Sequence, residues 1–242
     1  MLDLIRADTV STLKNKSVML LMLFFPVLNV TVGLIDAFKA GRTLNHDCFF
    51  EALSYLGMTA AYFTSVTFGN DITSGTIRPK LTAGKSRTAV YMSRLIVTAV
   101  FHAAAVILPV PVMLAAGMVT GCKVTASASS IALTVLCAFI AAYALSAFYM
   151  LVNVIIRHQT KATACGVCMA FIMNMVGYVV VLGGDKKAFV IGRFTLPSGY
   201  IKMIMNMDKF KIPALPTPVY MLVFSVVLTF IGIIIAKRAD FK

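Results

Sequence analysis

The sequence predicts an all-α integral membrane protein with six transmembrane helices, and three observations carry that expectation. Hydrophobic residues make up 60% of the 242 and the mean hydropathy is +0.90, above the ~45–50% apolar usage of soluble domains. Apolar runs recur at Ser17–Phe38, Ala52–Asn70, Met92–Met118, Ser127–Ile156, Ala162–Gly184 and Thr217–Ala236, each near or above the roughly 20 residues that a helix needs to cross ~30 Å of hydrocarbon. The runs are continuously apolar and lack the alternation of barrel strands. Six spans bring both termini to one side and make residues 1–242 a single transmembrane domain.

The orientation follows from the 22 Lys and Arg residues. With the termini in the cytoplasm, the inner side carries Arg6, Lys14, Lys16, Arg78, Lys80, Lys85, Arg87, Arg94, Arg157, Lys161, Lys237, Arg238 and Lys242. The outer side carries Lys39, Arg42, Lys123, Lys186, Lys187, Arg193, Lys202, Lys209 and Lys211, six of them in the single loop Asp185–Pro216. The short loops and tails therefore place the termini inside. Positive-inside loops beside anionic lipid account for the net charge of +13; no basic, aromatic-interleaved soluble domain is present to bind nucleic acid.

Residues 1–16 mix Leu2, Ile5, Val10 and Leu13 with Arg6, Asp8 and Lys14. That pattern fits an interfacial helix leading into the first span, with a frayed tail as the bland alternative. The first apolar run continues past Ala37 without a small-residue cleavage pattern, so it reads as a span and not as a cleavable signal. Between the second and third runs, Asp71–Arg87 forms a polar, basic island that reads as a cytoplasmic docking loop. Pro109 and Pro111 should kink the third span, since each removes a backbone donor and crowds the preceding turn. Ala138, Ala142 and Ser146, and then Ala162, Gly166, Ala170 and Asn174, recur every four residues, and such small-residue stripes let helices approach closely. Within one subunit they mean internal packing; between subunits, association. Asp185–Pro216 mixes apolar residues with lysines and suggests short helices capping the outer mouth, and Pro213, Pro216 and Pro218 limit helix continuity before the last span.

Candidate chemistry is sparse. Gly84-Lys85-Ser86 mimics the end of a phosphate-binding loop, but the first glycine of that motif is replaced by Pro79 and the segment follows a span, not a buried strand. Cys165-Gly166-Val167-Cys168 has metal or redox spacing without a second pair, and it and Cys137 lie in spans as packing residues. Cys48 and Cys122 fall in outer loops, where a disulfide is conceivable. His46, His102 and His158 are scattered; His102 is either a polar contact in a pore or a partner for a neighbouring helix. Asn29, Asn153 and Asn174 are candidates for lining a translocation route, and interhelical hydrogen bonding explains them equally well. Asp36 is the one carboxylate read as near a span, so no catalytic or proton-relay constellation is expected.

The six runs and the first inner loop resemble the permease subunits of ABC-2-type ABC transporters. The sharp part is short: Asp71, Gly75-Thr76-Ile77-Arg78, Leu81, Gly84, Ser86-Arg87, Tyr91 and Ser93 stand where that family has an acidic residue, Gly-Thr-Ile-Arg, a hydrophobic residue, and Gly-x-Ser-Arg leading into the next span. The resemblance implies a cytoplasmic coupling helix that contacts a separate ATPase subunit through Asp71, Gly75, Thr76, Ile77, Arg78, Leu81 and Arg87. It also implies an amphipathic entry helix and small extracellular helices before the sixth span. Asp71 replaces the usual glutamate, and Pro79 interrupts the segment, which accommodates a short helix over Ile72–Arg78 followed by a turn at Pro79. Arg78, Lys80, Lys85 and Arg87 would then face an acidic groove, or serve only topology and anionic lipid. By this resemblance the chain is a non-enzymatic half of an exporter in a bacterial plasma membrane. It would pair with a second permease, identical or homologous, and with ABC ATPases that hold ATP and Mg, and would move peptide antibiotics or amphipathic compounds. A secondary transporter or channel subunit working without ATP is the alternative.

Overall fold

A computed structural model describes residues 1–50, 55–182 and 216–238. These are almost entirely helical: α1 Leu2–Lys14, α2 Lys16–Lys39, α3 His46–Phe50, α4 Leu56–Thr64, a π-helical turn Ser65–Gly69, α5 Asn70–Thr73, α6 Ile77–Thr82, α7 Arg87–Ile107, α8 Pro109–Thr120, α9 Ala128–Ile156, α10 Gln159–Leu182 and α11 Pro216–Arg238. Two two-residue strands, β1 Thr43–Leu44 and β2 Lys123–Val124, pair in parallel.

Among the described residues, four helices are long and apolar enough to cross a membrane: Lys16–Lys39, Arg87–Thr120, Ile131–Ile156 and Val219–Arg238. At 1.5 Å per residue the first alone reaches roughly 36 Å. The second expected span is not one regular helix, because α4 passes into the π-helical turn before α5. The proline kink falls at Leu108, between α7 and α8, with Pro109 opening the new helix where its missing N–H is an orphan position anyway. The expected helices of Asp185–Pro216 fall almost wholly outside the described residues.

Helix boundaries follow local chemistry. Asn15 leaves α1 in an extended conformation, and its side-chain oxygen accepts from the Ser17 amide to start α2. Ser86 caps α7 by accepting from the Ala89 amide. Gly121 ends α8 in the left-handed conformation at φ +68°.

The long helix α9 is the centre of the bundle, packing on α11, α7 and α4, while α10 packs on α4. The small-residue stripes make this possible. Ala138, Ala142 and Ser146 are all fully or nearly fully buried, as are Ala162 and Ala170, and Gly166 lies against Ala61 and Tyr149. Both stripes are therefore used for packing inside this chain. Cys137 is buried, but Cys165 and Cys168 are exposed on the opposite side of α10, so they do not pack in the core as the sequence suggested. Cys48 and Cys122 are free thiols, and the Cys48 thiol donates to Asn45 Oδ1 at 2.7 Å.

The two ends of the bundle differ. One gathers α1, residues 70–87, the α9–α10 corner and the last turn of α11. Gln159 N donates to Thr73 Oγ1 at 2.9 Å, and Arg87 Nη1 donates to the Lys237 carbonyl at 2.8 Å, a cation at a helix C-terminus. The other end gathers the β1–β2 ladder, α3 and the end of α8, where Gly33 and Gly117 admit the Cys48 backbone and the Leu44 side chain.

A Cβ at Gly33 would run into the Cys48 carbonyl oxygen, whereas one at Gly166 would meet the Ala61 methyl group at 3.1 Å. Gly33→Ala should therefore cost about 1–3 kcal/mol through overpacking against backbone, and clearly more than Gly166→Ala. Thermal unfolding in detergent measures the difference; equal midpoints would mean that α3 yields freely.

Candidate functional site: a buried charge cluster at one end of the bundle

Leu4, Asp8 and Thr12 recur every four residues and so share one face of α1. It is this face, two-thirds polar, that is buried, with Asp8 at 1% exposure. Opposite it, α7 presents Ser93 and Arg94, which is 2% exposed although only seven residues into an apolar helix. Asp71 on α5 completes the group and is 6% exposed.

Asp71 points inward because of what precedes it. The π-helical turn Ser65–Gly69 is wholly buried, and its hydrogen bonds span one residue more than those of an α-helix, shifting the face that α5 presents. Asn153 on α9 anchors it: its Nδ2 donates to Ser65 Oγ at 3.2 Å and to the Tyr149 carbonyl at 2.8 Å. Gly69 permits the approach, since a Cβ there would lie 2.5 Å from Asn153 Oδ1.

The charges interlock. Arg94 grips Asp71 Oδ2 through Nε at 2.6 Å and Nη2 at 2.5 Å, while its Nη1 donates to Thr12 Oγ1 at 3.0 Å and to the Asp8 carbonyl at 3.3 Å. Arg94 Nε also stands 3.5 Å from Asp8 Oδ1. Asp8 accepts from Lys80 Nζ at 2.6 Å and from Ser93 Oγ at 2.6 Å. Lys80 Nζ lies 3.6 Å from Asp71 Oδ2, and Thr76 Oγ1 donates to Asp71 Oδ1 at 3.0 Å. Two carboxylates thus face two cations. Lys80, with a side chain 20% exposed, is the only one of the four that reaches solvent appreciably.

Unpaired, any of these charges would pay several kcal/mol of desolvation; paired and hydrogen-bonded, they fix the relative placement of α1, α5, α6 and α7. Chemically the arrangement is a mechanical tie. Among the described residues no three His, Cys, Asp or Glu side chains converge as a metal site.

The residues singled out from sequence divide sharply. Asp71 and Thr76 belong to the cluster; Ile77 is 2% exposed, and Leu81 packs against the same apolar group of Phe68, Val90 and Leu95. Gly75 holds φ +71°, a left-handed turn that an L side chain resists. Arg78 is exposed on α6. The expected helix over Ile72–Arg78 is corrected: the chain breaks at Ser74–Thr76, α6 begins at Ile77, and Pro79 sits inside its first turn, where the missing N–H leaves no bond unmade. Lys80 turns inward to Asp8, and Arg87 serves the end of α11, so neither side chain is simply offered outward.

The three route candidates are buried at separate places. Asn29 Nδ2 donates to the Phe49 carbonyl at 3.0 Å near the β-ladder end, Asn153 supports the π-helical turn, and Asn174 is 5% exposed on α10. His102 Nδ1 meets Ser146 Oγ at 2.6 Å on the neighbouring helix α9. Sequence reasoning missed Asp8, Thr12 and Arg94 as members of a site. The available signal was an arginine inside an apolar run and an aspartate at four-residue spacing from Leu4 and Thr12.

Residues 36–242 match a family model described as "Protein of unknown function (DUF2705)". The chain belongs to the DUF2705 family. No curated protein matches it. The matched part of this DUF2705 chain holds Asp71, Lys80 and Arg94, while Asp8 lies before it, on α1.

Arg94→Ala should leave Asp8 and Asp71 facing each other with Lys80 alone, a loss of about 3–5 kcal/mol. Arg94→Lys should recover little, because a lysine cannot reproduce the fork that spans Asp71, Thr12 and the Asp8 carbonyl. Thermal unfolding of the purified chain tests both; a fully stable Arg94→Lys would show that charge alone suffices.

Proposed function

We propose that this DUF2705 chain is the permease half of an ATP-driven exporter, with six spans and both termini in the cytoplasm. It pairs with a second permease and with separate ATPase subunits that bind ATP and Mg. Peptide antibiotics and amphipathic compounds are the proposed cargo class. The observation that carries this reading is the tie between the Gly75–Arg78 segment, the N-terminal helix and an apolar helix long enough to span: Lys80 and Asp71 on either side of it are paired with Asp8 of α1 and Arg94 of α7. A load on α6 is therefore passed to two elements at once, as an energy-coupling segment requires.

The division of labour follows from the side chains. Arg78, exposed on α6, meets an acidic groove on the ATPase and sets register more than affinity. Gly75 supplies the tight turn that brings Ile77 back into the core. ATP-driven approach of two ATPases moves paired α5–α6 segments and, through Arg94, the first turns of α7. In this reading the nucleotide site lies on the partner and not at Gly84-Lys85-Ser86, which is supported by Gly84 and Lys85 closing α6 through backbone bonds to Leu81 and Lys80 and by Ser86 capping α7.

The tagged chain purified from its native membrane should bring down an ATPase in fixed stoichiometry, and Arg78→Glu should weaken that association about tenfold, ~1.4 kcal/mol, with the fold intact. Transport activity in the absence of any copurifying ATPase would favour the ATP-independent alternative. The isolated chain should show no saturable ATP binding; binding abolished by Lys85→Ala would overturn the assignment of the nucleotide site to a partner.

A further inference from the structure

Helix α1 is built with its faces reversed relative to a helix lying on a protein core. Its hidden side carries Asp8 and Thr12 with the single apolar Leu4, while Leu2, Val10 and Leu13 are 81%, 43% and 48% exposed. Arg6 and Lys14 stand on the same outward side, and with Asp3, Ala7, Val10 and Ser11 they line an open groove of about 650 Å³. Asp3 offsets one charge, but Lys16 follows at once, leaving the outward side net positive. Beyond the Asn15 break, Leu20, Leu23, Phe24 and Val27 are exposed on α2, one of the helices apolar enough to span a membrane. A surface that carries exposed apolar residues and cations and directly precedes a helix apolar enough to span fits the boundary between headgroups and acyl chains better than a protein partner.

We propose that anionic phospholipid occupies this outward face of α1, its headgroup held by Arg6 and Lys14, and that this occupancy sets the position of the α5–α6 segment through Asp8. The two faces belong to one 13-residue helix, so a lipid that fixes its roll and depth fixes the carboxylate on its far side. Asp8 holds Lys80 of α6 at 2.6 Å and stands 3.5 Å from Arg94, which grips Asp71. Lipid composition is thus read at α1 and delivered at residues 76–84. Calling that segment a coupling segment rests on the function proposed above; the lipid contact and its transmission do not.

The chain contains no tryptophan, so Leu13→Trp installs a single reporter. In nanodiscs of equal bromolipid content, brominated phosphatidylglycerol should quench Trp fluorescence at least about twofold more than brominated phosphatidylcholine. The preference should vanish in Arg6→Gln/Lys14→Gln. Hydrogen exchange of residues 76–84 should be slower in phosphatidylglycerol discs than in phosphatidylcholine discs, and that difference should be lost both in Asp8→Asn and in the folded Arg6→Gln/Lys14→Gln variant. Absence of quenching by either lipid overturns the proposal, as it would if a protein covered this face. Equal quenching by the two lipids overturns headgroup selection, and selective quenching with unchanged exchange overturns the transmission. None of these measurements uses an ATPase, so their failure is distinct from failure of ATPase association.

Discussion

Two carboxylates and two cations leave water together at one end of this bundle, and the surrounding architecture follows from keeping them paired. Asp8 and Arg94 are as buried as the aromatic core, and Lys80 is the most exposed of the four charges. The pairing therefore has to be made by the fold itself. That requirement accounts for a polar stripe on the hidden side of α1, for Ser93 and Thr12 supplying the remaining hydrogen bonds, and for a helix as short as α5 being held in one orientation. Replacing such a group by apolar side chains could hold the helices as tightly. Ionic geometry adds register: a guanidinium that grips Asp71 on one side and Thr12 on another tolerates little sliding of α1 along α7.

The backbone departures around the cluster serve the same end. A regular helix from Leu56 to Thr73 would present a different face at Asp71. The π-helical turn makes the adjustment, and it persists because Asn153 and the bare Gly69 let α9 close against it. The left-handed Gly75 then reverses the chain quickly enough that Ile77 returns to the apolar group containing Phe68 and Leu95, leaving Arg78 outside. Core packing and charge pairing thus meet across about ten residues, between the anchored turn and the first turn of α6.

Much of the bundle was legible from residues 1–242 because hydropathy and helix punctuation are local. The apolar runs mark α2, α7–α8, α9 and α11, and Pro109 marks the break; the caps at Asn15 and Ser86 were not read from the sequence. The four-residue stripes on α9 and α10 were legible as packing surfaces, although which helices they would meet was not. The π-helical turn was invisible, since Ser65-Val66-Thr67-Phe68-Gly69 reads as an ordinary apolar stretch and its cause, Asn153, is 84 residues or more away in sequence. The charge cluster was half visible. Asp71 stood out from the motif around it, but the inward turn of Lys80 depends on Asp8, and the sequence pattern alone made Lys80 one more basic residue of a loop.

The location of the cluster leaves one of its charges in reach of solvent and seals the others. Deeper among the spans, four charges would have no exit and their pairing could not change. At the end of the bundle, the 20% exposure of Lys80 gives one partner access to solvent while the Arg94–Asp71 grip stays sealed. Lys80 stands between Asp8 and Asp71, 2.6 and 3.6 Å away, whereas Arg94 closes on Asp71 between α5 and α7. The tie therefore has a sealed half, joining α5 to α7, and a half with access to solvent, joining α1 to α6. Through Lys80 and Asp8 the placement of α6 is bound to that of α1, and through Asp71 and Arg94 the placement of α5 is bound to that of α7.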